Sequence, residues 1–291
     1  MPEENKMSNL PETTSEAPKS NNDALLAQQT AALARHQMTT PKSTQGVYDL
    51  PCGYLDESGN LHTEVALHEI TGTEEDLLAN PKMQPVKKIN ELLTRCIDRI
   101  GPFTERGRVS QIVLDLTVGD RAFLMFAIRR ISLGDDYPFK DKCPSCEEEK
   151  LYTVDLSELE AKQMPDPKKR AFDQTLPSGK QAKFHPMTGR DEERLAKFDK
   201  NKADTLSLSI LMRLDLLDGK APTLPDVKNL GLRDRNFLRD QFEDSEGGLD
   251  TEVDLECPDC GEAFKRDVDV GQQGFFFPSA IQKSLKAKSS T

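Results

Sequence analysis

The chain repeats one set of motifs, and this repetition limits the folds it can adopt more than any other feature. One copy begins with "LPCGYLDESGN" at Leu50 and the other with "LPSGKQAKFH" at Leu176. Each copy then runs through a His-x-(Ile/Met)-Thr-Gly motif into an acidic stretch. The later matches keep one constant offset and pair Asp120, Arg121, Phe123, Leu124, Gly134, Cys143 and Cys146 with Asp234, Arg235, Phe237, Leu238, Gly248, Cys257 and Cys260. This order of matches predicts a tandem duplication of one structural unit.

The first part of each unit is predicted to contain a strand followed by helix. Apolar and polar residues alternate in "HTEVALHEI", which is typical of a half-buried strand. Thr71 and Glu74 form the pattern of a capping box, which predicts a helix start. Apolar residues three and four positions apart between Val86 and Ile100 predict an amphipathic helix with one buried stripe. Gly101 stands where the C-terminal cap of that helix is expected.

The second part of each unit is predicted to be a helix followed by a β-hairpin. Thr117 and Asp120 predict the helix start, and Gly134 predicts its end. The period then changes to two, as in "YPFKDK" and "KLYTVDL" on either side of the first Cys-x-x-Cys motif. Each such motif is therefore expected at a hairpin tip. The predicted fold class is α+β: a tandem duplication of a strand–helix–helix–β-hairpin unit, with pseudo-two-fold symmetry, joined by a pair of zinc knuckles.

The two Cys-x-x-Cys motifs hold four of the six cysteines. Such a motif at a tight turn directs both sulfurs to one side, so two turns can supply four tetrahedral thiolates. We predict one structural zinc ion bound by Cys143, Cys146, Cys257 and Cys260. Four thiolates leave no open coordination position, so the ion would stabilise the fold and not catalyse a reaction. The alternatives are reduced cysteines left from a lost site, half-sites completed by another subunit, and a redox pair.

The other two cysteines, Cys52 and Cys96, have no cysteine counterpart in the second copy and are predicted to be packing residues. His68 and His185 do recur, but a repeated histidine on a strand is more often structural than catalytic. The chain has no P-loop, dinucleotide fingerprint, HExxH or GxSxG motif, so the sequence offers no candidate catalyst.

Composition argues against several classes of protein. The formal net charge of −11 is unfavourable for binding a phosphate backbone. No apolar run approaches the roughly 20 residues that span a bilayer. The N-terminal sequence lacks the basic start and apolar stretch of a signal peptide, so we expect the protein in the cytosol of the cell that makes it. Thiols stay reduced there, which favours metal binding over disulfides.

Composition also predicts where the folded part begins and ends. The first residues are rich in Ser, Thr, Asn, Gln and Pro and have too few large apolar residues to form a core. The predicted segments are a disordered or partner-binding tail at 1–45, a first repeat at 46–160 ending in the CPSC hairpin, a linker at 161–173, a second repeat at 174–278 ending in the CPDCG hairpin and "FFFP", and a flexible tail at 279–291.

Three consecutive aromatic residues, Phe275, Phe276 and Phe277, follow the second hairpin. Neighbouring side chains of an extended segment point in opposite directions, so one core cannot easily bury all three. Either the segment is buried on both faces, or part of the cluster binds a partner, because exposed aromatic residues are common interface anchors.

Taken in order, these motifs resemble the T4-type bacteriophage baseplate proteins, a family often described as tail-hub assembly proteins or chaperones. The resemblance covers about residues 47–278 and is carried by "LPSG", "MTGRDEE", "LRDRNFL", "CPDCGEAF" and "FFFP". It implies a non-enzymatic role in building the contractile-tail baseplate, with hub or spike proteins as partners. It places the protein in the host cytoplasm during assembly and allows a place in the virion. The first copy departs from this pattern, since it lacks a glycine after Cys146 and has no FFFP equivalent.

Two other hypotheses compete with a baseplate assembly role. A zinc-ribbon protein that binds nucleic acid would need basic residues beside its knuckles, and the acidic residues there outnumber Lys140, Lys142 and Lys150. A metal-dependent enzyme would need an open zinc position and a nearby acid or base. Salt-dependent DNA binding would support the first alternative, and loss of activity on glutamate substitution the second.

Overall fold

The computed structural model describes residues 45–198, 204–270 and 274–277. The predicted tails at 1–45 and 279–291 therefore lie outside the described residues, apart from Gln45. The first half of the described chain contains, in order, β1 (Gln45–Leu55), β2 (Leu61–His68), α1 (Gly72–Ala79), α2 (Pro85–Cys96), β3 (Ile97–Ile100), α3 (Arg106–Asp115), α4 (Val118–Leu133), β4 (Asp136–Lys142) and β5 (Glu149–Asp155). The result is a mixed α/β fold.

The second half contains the same succession of elements after one short strand. That strand is β6 (Ala161–Lys162), and the elements after it are β7 (Phe172–Thr175), β8 (Gln181–Phe184), α5 (Gly189–Phe198), α6 (Thr205–Arg213), β9 (Leu214–Leu217), α7 (Leu224–Lys228), α8 (Leu232–Ser245), β10 (Gly248–Leu249), β11 (Glu252–Glu256) and β12 (Ala263–Asp267). Each half has one three-stranded antiparallel sheet, ordered β1-β2-β3 and β7-β8-β9. Each half also ends in a two-stranded hairpin, β4-β5 or β11-β12.

Corresponding polar contacts recur in the two halves. The Asp120 carboxylate accepts a hydrogen bond from the amide of Cys52 at 2.8 Å, and Asp234 accepts one from Ser178 at 2.9 Å. These bonds attach each Leu-Pro-x-Gly segment to the helix that leads toward the hairpin. The first segment lies within β1, at an irregularity in the β1–β2 register between Asp49 and Tyr54, whereas the second lies in the turn between β7 and β8.

The prediction of one helix from Val86 to Ile100 is wrong at its C-terminal end. The helix ends at Cys96, and Ile97–Ile100 form β3, which pairs with β2. Both Ile97 and Ile100 are buried. Three residues apart, they match the helical stripe, and the irregularity in the β2–β3 register between Ala66 and Leu67 allows both to be buried in a short strand. Gly101, with a φ of +51°, turns the chain after this strand and does not cap a helix.

Other predicted helix boundaries agree with the structure. Thr71 and Glu74 form the capping box at the start of α1. Thr117 caps α4 by accepting a hydrogen bond from the amide of Asp120, and Gly134 ends that helix with a φ of +87°.

Three apolar clusters form the core. One fills the first half, one fills the second, and a third lies beneath the two hairpins, where Phe126, Tyr137, Phe139, Tyr152, Leu156, Leu255, Val268 and Phe275 are buried together. The segment between the halves, expected to be a linker, contributes β6, which pairs with β10, and the buried Met164. Among the described residues no helix is both long and apolar enough to span a membrane.

Candidate metal centre

The first knuckle is the tight turn between β4 and β5. The amide of Cys143 donates to the carbonyl of Glu148 at 3.1 Å, and the amide of Glu147 donates back to the carbonyl of Cys143 at 3.0 Å. Glu147 closes the turn in the left-handed region, with a φ of +59°. A residue with a side chain pays about 1–2 kcal/mol for this conformation, so the turn is held by its surroundings.

The second knuckle, between β11 and β12, has the same backbone pattern. The amide of Cys257 donates to the carbonyl of Glu262, and the amide of Gly261 donates to the carbonyl of Cys257, both at 2.9 Å. Gly261 has a φ of +71°, at the position that Glu147 takes in the first knuckle. Glycine adopts this conformation without strain, so the two turns have one geometry although their sequences differ.

The four predicted cysteines meet where the two hairpin tips converge. All four sulfur atoms lie within 4.8 Å of one another. The Sγ atoms of Cys143 and Cys260 are 3.6 Å apart, and those of Cys146 and Cys257 are 3.8 Å apart. A zinc–sulfur distance of about 2.3 Å places tetrahedral thiolates about 3.8 Å from each other, so the spacing fits a four-thiolate metal site. None of the four is in a disulfide.

The protein environment already favours a thiolate at this position. Backbone amides of Cys260 and Asp259 point at the sulfur of Cys257 and lower the pKa of that thiol to about 6. The amide of Glu262 acts in the same direction on Cys260, but desolvation and the neighbouring thiols outweigh it and raise the pKa of Cys260 to about 12. Four thiols this close together cannot all ionise without a cation, and a divalent metal supplies the compensating charge.

Ion pairs join the two hairpins around the cysteines. Arg266 of β12 pairs with Asp141 of β4, and Lys150 of β5 pairs with Asp259 of the second knuckle. The two carboxylates neutralise Arg266 and Lys150, whereas a nucleic-acid site would leave such cations free to bind phosphate. The charge distribution beside the knuckles is therefore that of a closed structural contact.

Sequence reasoning did not identify Tyr152 as part of this region. Its hydroxyl is buried and has no hydrogen-bond partner among the described residues. Burial, and after it the adjacent thiol of Cys257, raise the pKa of Tyr152. The only sequence signal for Tyr152 is the alternation of polar and apolar residues along β5, because that pattern places every second side chain beneath the hairpin.

The three phenylalanines have different environments. Phe275 is fully buried in the third apolar cluster, with its ring centroid 5.1 Å from that of Phe126 and 5.4 Å from that of Tyr137. Phe276 and Phe277 are only half-buried, and both line a groove of about 230 Å³ beside the start of α1. Phe275 is thus a core residue of this chain, and the other two remain accessible to a partner.

The recurring histidines bind carboxylates rather than the cysteine cluster. His68 Nδ1 lies 2.8 Å from Asp98, and His185 Nδ1 lies 2.9 Å from Asp215. His185 also contacts Asp191, at 3.2 Å from Nε2. These bonds join β2 to β3 and β8 to β9, which supports the structural interpretation of both histidines.

The described residues thus define a mixed α/β protein in which two hairpins converge on a cluster of four cysteines that could hold a metal ion. Residues 55–175 match the family described as T4 bacteriophage base plate protein. Over these residues the chain is similar to T4-type baseplate proteins, which supports the resemblance found in its motifs. The match includes Cys143 and Cys146 and ends at residue 175, near the start of the second half, so it includes neither Cys257 nor Cys260. No curated protein and no solved structure matches the chain.

This family supports a structural role in the phage baseplate, among other baseplate components. Its phage context, either assembly or the virion, follows from the same match.

Proposed function

We propose that this protein is a non-enzymatic assembly protein of the phage tail baseplate and hub, stabilised by one structural zinc ion. The observation that carries the proposal is the cluster of four thiols at tetrahedral spacing, within a chain of the baseplate family. Cys143, Cys146, Cys257 and Cys260 would be the ligands. With all four positions filled by thiolate, the ion has no site for a substrate or an activated water.

We also propose that the chain is a tandem duplication, with repeats at 46–160 and 174–278 joined by residues 161–173. The repeated order of elements and the equivalent Asp120 and Asp234 contacts support this division. Around the cysteines the relation is a local pseudo-two-fold axis. A two-fold rotation would place Cys143 on Cys257 and Cys260 on Cys146. It would therefore exchange the Cys143–Cys260 and Cys146–Cys257 sulfur pairs, whose separations of 3.6 and 3.8 Å are nearly equal.

The proposed partners are hub or spike proteins of the baseplate, met in the host cytoplasm during assembly. Phe276 and Phe277 would form part of the contact surface, since they border an accessible groove whose other walls include Ile70, Leu78 and Leu133. An apolar groove with aromatic edges suits a hydrophobic anchor from another protein.

Zinc content per chain tests the metal site. Purified wild type is dialysed against a weak chelator and analysed for metals, beside Cys143→Ser and the matched control Cys52→Ser. The control is chosen because serine stands at the corresponding position, Ser178, of the second half. We expect about one zinc per chain in wild type and control and almost none in Cys143→Ser, with a lower melting temperature.

The metal proposal fails if zinc-free wild type melts as sharply and at the same temperature, or if Cys143→Ser retains its zinc through dialysis. Structural zinc contributes about 10 kcal/mol or more in small peptides, so its loss from a site that joins two hairpins should be easy to detect.

Binding to purified hub and spike proteins of the same phage tests the assembly role. We expect a complex on gel filtration with wild type, and loss of that complex in the double variant Phe276→Ala, Phe277→Ala. The double variant should remain folded at the temperature of the binding assay, because Phe275 stays in the core. A complex that forms equally well with the double variant would show that this groove is not the contact surface, and no complex with any of these proteins would contradict the assembly role.

A further inference from the structure

The helical parts of the two halves meet in a one-sided contact. The start of α5 lies against α2, α3 and the start of α4. The amide of Val118 donates to the carbonyl of Met187 at 2.8 Å, and the amide of Gly189 donates to the carbonyl of Leu116 at 3.1 Å. We call residues 187–193 the inner donor segment, because they are inserted into the contact, and residues 113–121 the inner acceptor face, because they receive that segment. These two names do not refer to the direction of hydrogen bonds.

Arg121 lies at the centre of the inner acceptor face. Its Nε donates to Glu192 at 2.9 Å, while its other nitrogens donate to the side chain of Asn90 at 2.6 Å and to the carbonyl of Val113 at 2.8 Å. A Cβ on Gly189 would lie 2.7 Å from this guanidinium. The inner acceptor face therefore fits a helix that has a glycine in its first turn and a glutamate three residues later.

A second acceptor face of the same kind is formed by the other half, at residues 227–235. There Arg235 donates to the carbonyl of Val227 at 3.0 Å and to Ser207 at 3.1 Å, which repeats two of the three bonds of Arg121. The third bond is missing, because no carboxylate pairs with Arg235 in the part of the chain that the structure describes. Leu232, 70% exposed, borders this outer acceptor face.

In the corresponding outer donor segment, residues 70–76, the described residues make no contact with Gly72 or Glu75 like those of the inner segment, although the amide of Ile70 is bonded to Ser132. Gly72 and Glu75 correspond to Gly189 and Glu192 and are both exposed. No described atom lies within 4 Å of the place where a Cβ of Gly72 would be, and its φ is outside the left-handed region. Among the described residues, therefore, no contact requires a glycine at position 72, although glycine weakens a helix.

We propose that the outer donor segment of one molecule binds the outer acceptor face of a second copy of this chain, in the geometry of the inner contact. Glu75 would supply the carboxylate that Arg235 lacks, and Gly72 would admit the guanidinium. The contact is heterologous, so repeating it produces either a closed ring or an open row of molecules. An open row keeps one free donor segment and one free acceptor face at its ends. It uses the equivalence of the two halves proposed above but does not depend on zinc.

Charge and surface shape support a second copy as the occupant. The outer donor segment is acidic, the outer acceptor face presents a cation without a carboxylate partner among the described residues, and both belong to the same chain. The inner contact provides a complete template for the outer one.

Analytical ultracentrifugation over a range of concentrations tests the proposal. We expect the full-length wild type with bound metal to associate as concentration rises. Arg235→Glu should abolish the acceptor face, and Gly72→Gln should block the donor segment. Each change should weaken self-association at least about tenfold, a loss typical of a disrupted interfacial charge pair or a steric clash. Lys168→Glu, an exposed charge reversal far in sequence from both faces, is the matched control.

Mixing the two variants gives the decisive result. Arg235→Glu retains an intact donor segment and Gly72→Gln retains an intact acceptor face, so together they can form one contact and no more. We expect a 1:1 dimer that does not grow. Wild type that stays monomeric, variants that associate like wild type, or a mixture that stays monomeric would each overturn the proposal. Metal content, measured in the same samples, separates this result from failure of the zinc site.

Discussion

Substitution of Phe275 by alanine separates core packing from partner binding within the phenylalanine cluster. The side chain is 0% exposed and contacts the rings of Phe126, Tyr137 and Phe276 at centroid distances of 5.1, 5.4 and 4.9 Å. Truncating a buried phenylalanine costs about 3–5 kcal/mol. A domain of this size loses about 2–4 °C of melting temperature per kcal/mol, so we expect a decrease of about 6–20 °C.

The measurement is thermal unfolding followed by circular dichroism, with zinc present in excess so that metal loss does not add to the effect. Phe277→Ala is the matched control, because its side chain is half-buried and lines the groove. We expect that change to alter stability by no more than about 1 kcal/mol. Equal decreases for the two variants would refute the separate roles assigned to Phe275 and Phe277.

Three further predictions concern packing and pH. Gly119→Ala should destabilise the fold by about 3 kcal/mol in urea unfolding, because its Cβ would lie 1.9 Å from a backbone carbonyl oxygen, whereas Gly72→Ala, in open space, should not. Burial raises the pKa of Asp120 to about 6. Since this value is above the unfolded pKa of about 4, its stabilising effect is present at low pH and is lost as pH rises through 6. Asp120→Asn should therefore gain up to about 3 kcal/mol relative to wild type between pH 4 and 7. Burial lowers the pKa of His185, but its bond to Asp191 and nearby carboxylates outweigh burial and raise it. His185→Gln should consequently destabilise the protein more at pH 6 than at pH 9, and equal losses would contradict this assignment.

The clustering of the four cysteines could be predicted because the position of each pair of sulfurs depends on local spacing. Two residues between cysteines are enough to fix both sulfurs on one side of a turn, whatever the rest of the chain does. The repetition of the motif then supplied the missing pair of ligands. Sequence could not indicate that Glu147 would adopt the left-handed conformation, because its neighbours in the turn, and not its own preference, hold it there.

The fold was predicted less completely where two periodicities overlap. Ile97 and Ile100 continue the stripe of α2, yet their β-branched side chains suit a strand, and pairing with β2 decides the outcome. Buried arginines are invisible to such patterns. Arg129 lies beneath the third cluster because it donates to the carbonyls of Gly134 and Asp136 at the end of α4, bonds that exist only in the folded chain.

If the two halves are duplicates, as proposed, each surface of one half has a counterpart in the other, and the internal contacts decide which of the two stays free. If one two-fold axis related the halves throughout, each donor segment would bind the acceptor face of the other half, and none would remain unpaired. The cysteine sulfurs fit such an axis, but the helices do not: Arg121 has its glutamate in the other half, whereas Arg235 has none among the described residues. The helical contact is therefore heterologous, and a heterologous contact between two units necessarily leaves one donor and one acceptor unpaired. Such faces become an interface only if their chemistry still matches, and Gly72, Glu75 and Arg235 meet that requirement.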